Sequence, residues 1–207
     1  MTKIKLPQNI EIKQRHEALE IISGFETKNK YDILDNHQQN ILFAYEESGF
    51  LWRWFMKRQR KLQVHIVDLE KKDLITIKRD WYFLKPKHEI LDENGHVLGK
   101  IIQEKIHFIR IKYHIYDAHN QFLFTCEYNL KDFKKFKLKD PKFSYRIAKD
   151  GQTLATITRK YGLKQIAIST ISDANNLFVD FMDVKDEKKK KLILAAAFAL
   201  DLHVWER

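Results

Sequence analysis

The sequence predicts a mainly β protein, a closed antiparallel barrel of about twelve strands wrapped around a hydrophobic C-terminal α-helix. Three observations predict it. The stretch Leu192 to Trp205 is apolar nearly all the way round, so it must be surrounded. A strand–turn–strand pattern recurs six times upstream of it. Glycine and proline are scarce, six and three in 207 residues, so no flexible linker divides the chain. One domain over residues 1–207 is the expectation.

Residues 1–24 are expected to hold a short strand at Ile10-Glu-Ile12 and a short helix around Glu17–Ile22, with Gly24 as its stop. Six β-hairpins are expected over 30–182. They are read at 31–44, 62–77, 88–101, 113–124, 144–157 and 165–181. In each, β-branched or aromatic residues alternate up to a turn rich in Asp, Asn and Gly. Asp35, Asp68, Asp92, Asp117 and Asp173 sit where a short side chain can bond nearby backbone, so they are read as turn residues rather than catalytic ones. The spacing between copies is too irregular for a solenoid or propeller. An antiparallel sheet of some twelve strands curls and closes, because closure removes its edges.

A twelve-stranded barrel is too wide for its own side chains to fill, so a helix over 186–205 is expected as its plug. The apolar run supports a plug over a membrane span. Fourteen residues reach roughly 21 Å, whereas a bilayer core of about 30 Å needs about 20 residues. Asp201 and His203 shorten the run, and both are expected near the far end of the helix, within reach of a polar partner or water.

Composition bounds the function. Hydrophobic residues make up 44% and charged residues 32%, the balance of a folded chain. The net charge of +10 favours anionic partners, phospholipid head groups or nucleic acid. The single Cys126 excludes an internal disulfide framework, and no apolar signal region opens the chain, so a cytoplasmic location is expected. No Walker loop, dinucleotide-binding glycine pattern or nucleophile elbow is present, and the nine histidines are scattered, so no enzyme is expected.

The segments Gly24–Tyr31, Asn40–Glu47, Val64–Asp68, Val97–Gln103 and Ile171–Asn176 resemble the phospholipid scramblase family, in the family's order along the chain. The resemblance implies the Tubby-like architecture, a barrel around a hydrophobic C-terminal helix. It also implies a protein of the cytoplasmic side that binds anionic phospholipid surfaces, at the inner face of the plasma membrane, with transbilayer phospholipid movement as the activity of its namesakes. It would place a calcium segment near Asp173. There Asp173, Asn175, Asp180 and Asp183 are the only candidates, and Leu177, Val179 and Phe181 occupy positions that a calcium loop needs for oxygen ligands. No cofactor is therefore expected, calcium being the weaker alternative.

The cysteine clusters that anchor many animal members are missing from this sequence. Aromatic and basic residues stand at about the same places. Residues 50–61 carry five cations, no acids and four aromatics. Further such connections run over 81–87 and 130–142. The expected membrane-binding residues are Trp52, Arg53, Trp54, Arg58, Trp81, Phe133, Lys134, Lys135 and Phe136, because Trp and Tyr prefer the headgroup level and cations prefer an anionic surface. The same residues could instead serve a soluble adaptor or stack on nucleic-acid bases. Lys188–Lys191 are expected to form a solvated face where the chain enters the barrel, with a phosphate site as the alternative.

Overall fold

The structure is a computed structural model that describes residues 5–15, 30–47, 61–82, 85–104, 112–128, 142–160 and 176–204, with backbone alone at 142–143, 160 and 202–204. Among the described residues, twelve strands and one helix follow in order. They are β1 (Asn9–Arg15), β2 (Lys30–Leu34), β3 (Asn40–Glu47), β4 (Leu62–Val67), β5 (Asp73–Arg79), β6 (Lys87–Asp92), β7 (Val97–Gln103), β8 (Lys112–Asp117), β9 (Phe122–Tyr128), β10 (Lys142–Lys149), β11 (Gln152–Lys160), β12 (Leu177–Asp180) and α1 (Glu187–Val204). The strands pair in sequence order, all antiparallel, and β12 pairs β1 to close the barrel.

Five predicted hairpins stand as read, and the sixth does not. Strand β12 pairs directly with β11 on one side and β1 on the other. The expected first arm, within 165–171, lies outside the described residues. The twelfth strand is the N-terminal one, Asn9–Arg15, which closes the ring through residues far apart in sequence. Alternation marks a segment as a strand but does not name its partner.

The turns repeat one chemistry. In four of them an aspartate, Asp35, Asp68, Asp92 or Asp117, accepts through Oδ1 from the backbone N–H two and four residues later, at 2.8–2.9 Å. The residue three after it takes positive φ: Gln38 (61°), Lys71 (64°), Gly95 (79°) and Asn120 (63°). This is a three-residue hairpin loop whose left-handed residue starts a bulge, and the register shifts beside each turn fit it. Asp150-Gly151, both at positive φ, makes the tighter fifth turn.

Apolar side chains point inward, with Ile33, Leu42, Val64, Ile77, Ile115 and Ile157 fully buried. Charged side chains point outward and pair across strands. Arg15 donates to Asp32 from Nε at 2.7 Å, and Arg146 donates from Nε to Glu127 at 2.6 Å. Apolar inside and polar outside is the reverse of strands that face lipid. The helix fills the centre, and every residue from Leu192 to Leu200 is at most 1% exposed. Leu192 packs against β7 at Gly99, where a Cβ would lie 3.0 Å from the leucine Cδ2.

The first turn of α1 is fastened at the rim of short turns. Asp186 Oδ1 accepts from Lys189 N–H (2.8 Å), which is an N-cap. Leu6 N–H donates to Glu187 Oε2 (3.0 Å), and Lys190 Nζ donates to Leu6 O (2.7 Å), so one backbone unit is clamped from both sides. Lys190 is buried and Lys191 pairs with Glu93 at 3.0 Å. Only Lys188 and Lys189 of the four-lysine run face solvent, so the expected solvated face covers half of it.

Candidate functional site

Antiparallel order gives the barrel two unlike rims. The five short turns, the start of β1 and the start of α1 share one. The connections 16–29, 48–61, 80–86, 104–111, 129–141 and 161–176 all leave from, and return to, strand ends at the other. The three aromatic–basic connections expected to meet a membrane therefore depart from a single rim. Trp81 lies among the described residues and is 48% exposed, large for a tryptophan. The other expected residues, Trp52, Arg53, Trp54, Arg58, Phe133, Lys134, Lys135 and Phe136, lie outside the described residues, and only the strand ends that carry their segments are placed.

The charge is split between the rims. The short-turn end, residues 5–9, 35–40, 67–74, 92–97, 117–122, 149–152 and 180–191, holds twelve carboxylates and nine lysines. A chain of net charge +10 thus carries a net acidic end. The cation excess belongs to the rest, where 48–61 has five cations and no acid.

Beneath the long-connection rim the barrel lining turns polar. Tyr31, Glu46, Arg79, His88, Gln103, Tyr113, Tyr145 and Arg159 are all buried on inward positions, and Asp201 meets them from the helix. Arg159 Nη1 donates to Asp201 Oδ1 (2.9 Å), and the Tyr31 hydroxyl donates to Asp201 Oδ2 (3.0 Å). Asp201 thus finds its polar partners at the far end of the helix, as expected, although it is buried rather than wet. Burial raises its carboxyl above the usual range, against the lowering by Arg159 and Tyr31. Arg79 lies over the Tyr82 ring at 5.5 Å, beside Trp81. Burial also pushes the Tyr113 hydroxyl well up.

Sequence reasoning missed this layer, although a signal for it exists. Parity carries on from Ile75 and Ile77 to Arg79, from Leu42 and Ala44 to Glu46, and from Ala155 and Ile157 to Arg159. A polar residue at an inward position, always at the same end of the strand, marks a buried polar belt. It also serves the helix, because cations near a helix C-terminus meet its orphan carbonyls and the negative end of its dipole.

One further constellation does not follow from the scattered histidines of the sequence. His65 stands between Asp73 (Nδ1 at 3.1 Å) and Glu47 (Nε2 at 3.1 Å) and stacks on Tyr45. These contacts tie β3, β4 and β5 together on the outer wall. Of the calcium candidates, Asp173 and Asn175 lie outside the described residues. Asp180 Oδ1 accepts from Met182 N–H at 2.9 Å, as the turn aspartates do, and Asp183 is exposed. Among the described residues no three His, Cys, Asp or Glu side chains converge as metal ligands. No described helix is long and apolar enough to cross a membrane.

The model of the Scramblase family matches residues 1–207. Phospholipid scramblase 4 of Homo sapiens is 24% identical over 219 residues, 96% of this chain and 61% of the relative. Phospholipid scramblase family member 5 of Homo sapiens is 40% identical over 68 residues, 33% of this chain and 25% of the relative. Phospholipid scramblase 1 of Homo sapiens is 36% identical over 68 residues, 33% of this chain and 21% of the relative. The chain thus spans about three-fifths of the length of phospholipid scramblase 4. No solved structure matches it. With the family model covering its whole length, the chain belongs to the Scramblase family.

Proposed function

We propose that this protein binds anionic phospholipid membrane surfaces peripherally, through the rim of long connections. The observation that supports the reading is that the strand ends flanking the connections that hold Trp52, Trp54, Trp81, Phe133 and Phe136 all lie at one rim, opposite a net acidic end. Aromatic rings dip to headgroup level and each cation near an anionic surface contributes about 1 kcal/mol. The family supports the lipid as partner. The buried helix then acts as scaffold, because its apolar face is already spent inside the barrel.

Flotation tests the reading. The protein is expected to float with vesicles of phosphatidylserine and phosphatidylcholine and to stay behind with phosphatidylcholine alone. Trp52→Ala/Trp54→Ala and Trp81→Ala should each reduce recovery. Equal recovery of these variants and the wild type would sink the rim as the contact. Nucleic-acid affinity that persists at physiological salt, without flotation, would favour a soluble binder instead.

The relatives' name, phospholipid scramblase, carries the proposal one step further, to movement of phospholipid between leaflets. That step is read separately, from loss of outer-leaflet label in vesicles reconstituted with the protein. Protein that floats without moving label would keep the binding and remove the transport.

A further inference from the structure

The β6–β7 turn holds the one Asn-Gly pair of the sequence, Asn94-Gly95. Both residues are exposed. Gly95 stands at φ 79°, and a Cβ on it would meet no atom of the described residues within 4 Å. The backbone nitrogen that follows Asn94 is therefore as unhindered as a peptide nitrogen can be.

We propose that Asn94 is a self-modification site, converted to aspartate and isoaspartate by attack of the Gly95 backbone nitrogen. The nitrogen bonds to Asn94 Cγ, and the bond from Cγ to the side-chain nitrogen breaks. That nitrogen leaves as ammonia, taking the proton of the Gly95 N–H with it, and a cyclic imide remains. Water then opens the ring. Opening at Cγ gives aspartate, and opening at the main-chain carbonyl gives isoaspartate, whose chain runs through the side-chain carbon. Water is the only co-reactant.

The sequence around each turn selects this asparagine. Asn36 precedes His37 and Asn120 precedes Gln121, so side chains crowd the nitrogen that would attack. Asp150-Gly151 has the glycine but offers a carboxylate, a poorer electrophile than an amide. The fold of the turn then sets the rate. Gly95 N–H donates to Asp92 O (3.0 Å), while Asn94 and His96 N–H donate to Asp92 Oδ1 (2.9 and 2.8 Å). A nitrogen whose proton is held this way does not attack, so conversion runs through the opened turn, and exposed turns open at low cost.

The change falls where the helix is fastened. Glu93 Oε2, in the same turn, accepts from Lys191 Nζ of α1 (3.0 Å). Isoaspartate adds a main-chain carbon to a three-residue loop, which cannot take it up and keep the bonds to Asp92. The converted turn then holds α1 less firmly. This inference does not rest on the lipid reading, and either can fail alone.

The test ages the full chain in mildly alkaline buffer. Isoaspartate is read by an isoaspartyl carboxyl methyltransferase with labelled S-adenosylmethionine and is located by peptide mass mapping. It is expected at residue 94 ahead of every other position, and Asn94→Gln should lack it there. Asp92→Ala removes Oδ1 and both of its bonds and should speed conversion about tenfold. Asp92→Asn keeps the acceptor and should leave the rate unchanged. The wild type unfolded in urea should convert faster than the folded chain. The isoaspartyl form, separated by ion exchange, should melt below Asn94→Asp, which carries the same charge on an ordinary backbone. No isoaspartate at 94 in the folded chain, or equal accumulation at Asn36 or Asn120, would overturn the site. Conversion as fast folded as in urea would overturn the turn as its gate, and equal melts of the isoaspartyl form and Asn94→Asp would overturn the loosening.

Discussion

Single residues in this barrel are chosen by backbone angle and by burial, and both choices are testable. Lys71 and Gly95 hold the same turn position at φ 64° and 79°. A side chain in the left-handed region costs roughly 1 kcal/mol or more, while glycine gives up more freedom on folding. Lys71→Gly is therefore expected to stabilise by about 0.5 kcal/mol and Gly95→Ala to destabilise by about 1 kcal/mol. Urea midpoints would show both, and equal signs would break the shared-turn account. Asp201 gives a pH signature. Its folded carboxyl is raised from the ordinary 3.8, chiefly by burial. In the window between 3.8 and the raised value the native state holds more protons than the unfolded one. Stability then falls as pH rises through the raised value, and the contribution is fully present below 3.8. Denaturation of wild type and Asp201→Asn at stepped pH should show the wild type gaining on the variant as pH falls from neutrality. A flat difference would mean that Arg159 and Tyr31 fully offset the burial.

At the scale of elements, the helix was the most legible part of the sequence and the closing strand the least. An apolar run with no polar face forces enclosure whatever surrounds it, and Leu192–Leu200 is enclosed. The aspartates at 35, 68, 92 and 117 announced their turns because an Asx turn is a local interaction. The pairing of β1 with β12 is not local: Ile10 meets Val179 across most of the chain, and no neighbour in sequence reports it. The polar belt failed for a different reason. Arg79 and Glu46 at strand ends look like solvent-facing residues until parity is followed past the last isoleucine. A helix enclosed on all sides makes a sharp prediction. Positions 194 and 196 point some 200° apart at about 100° per residue. Leu194→Ala should cost about 2–5 kcal/mol through its cavity, and Ala196→Leu about 1–3 kcal/mol through overpacking. An amphipathic helix lying on a surface would respond on one face only. Denaturant unfolding of both variants separates the two.

For the whole molecule, the split of charge between the rims decides how net charge can act. Strands of about seven residues at roughly 3.3 Å each hold the two ends about 23 Å apart. The screening length in physiological salt is about 8 Å, so a lysine at the short-turn end lies nearly three such lengths from a membrane met by the other rim. Its charge counts in the total of +10 and contributes almost nothing to the contact. Two variants with equal charge loss therefore separate a rim contact from diffuse attraction. Lys188→Ser/Lys189→Ser removes two exposed cations at the short-turn end. Arg53→Ser/Arg58→Ser removes two from the 48–61 connection. At about 1 kcal/mol per cation, the arginine pair should weaken binding to phosphatidylserine vesicles about 30-fold. The lysine pair should leave binding within about twofold of the wild type, because its field is screened before it reaches the lipid. Binding isotherms by sedimentation at two salt concentrations would measure both. Equal weakening in the two variants would mean that the molecule meets the membrane without a preferred end, and the rim would lose its role.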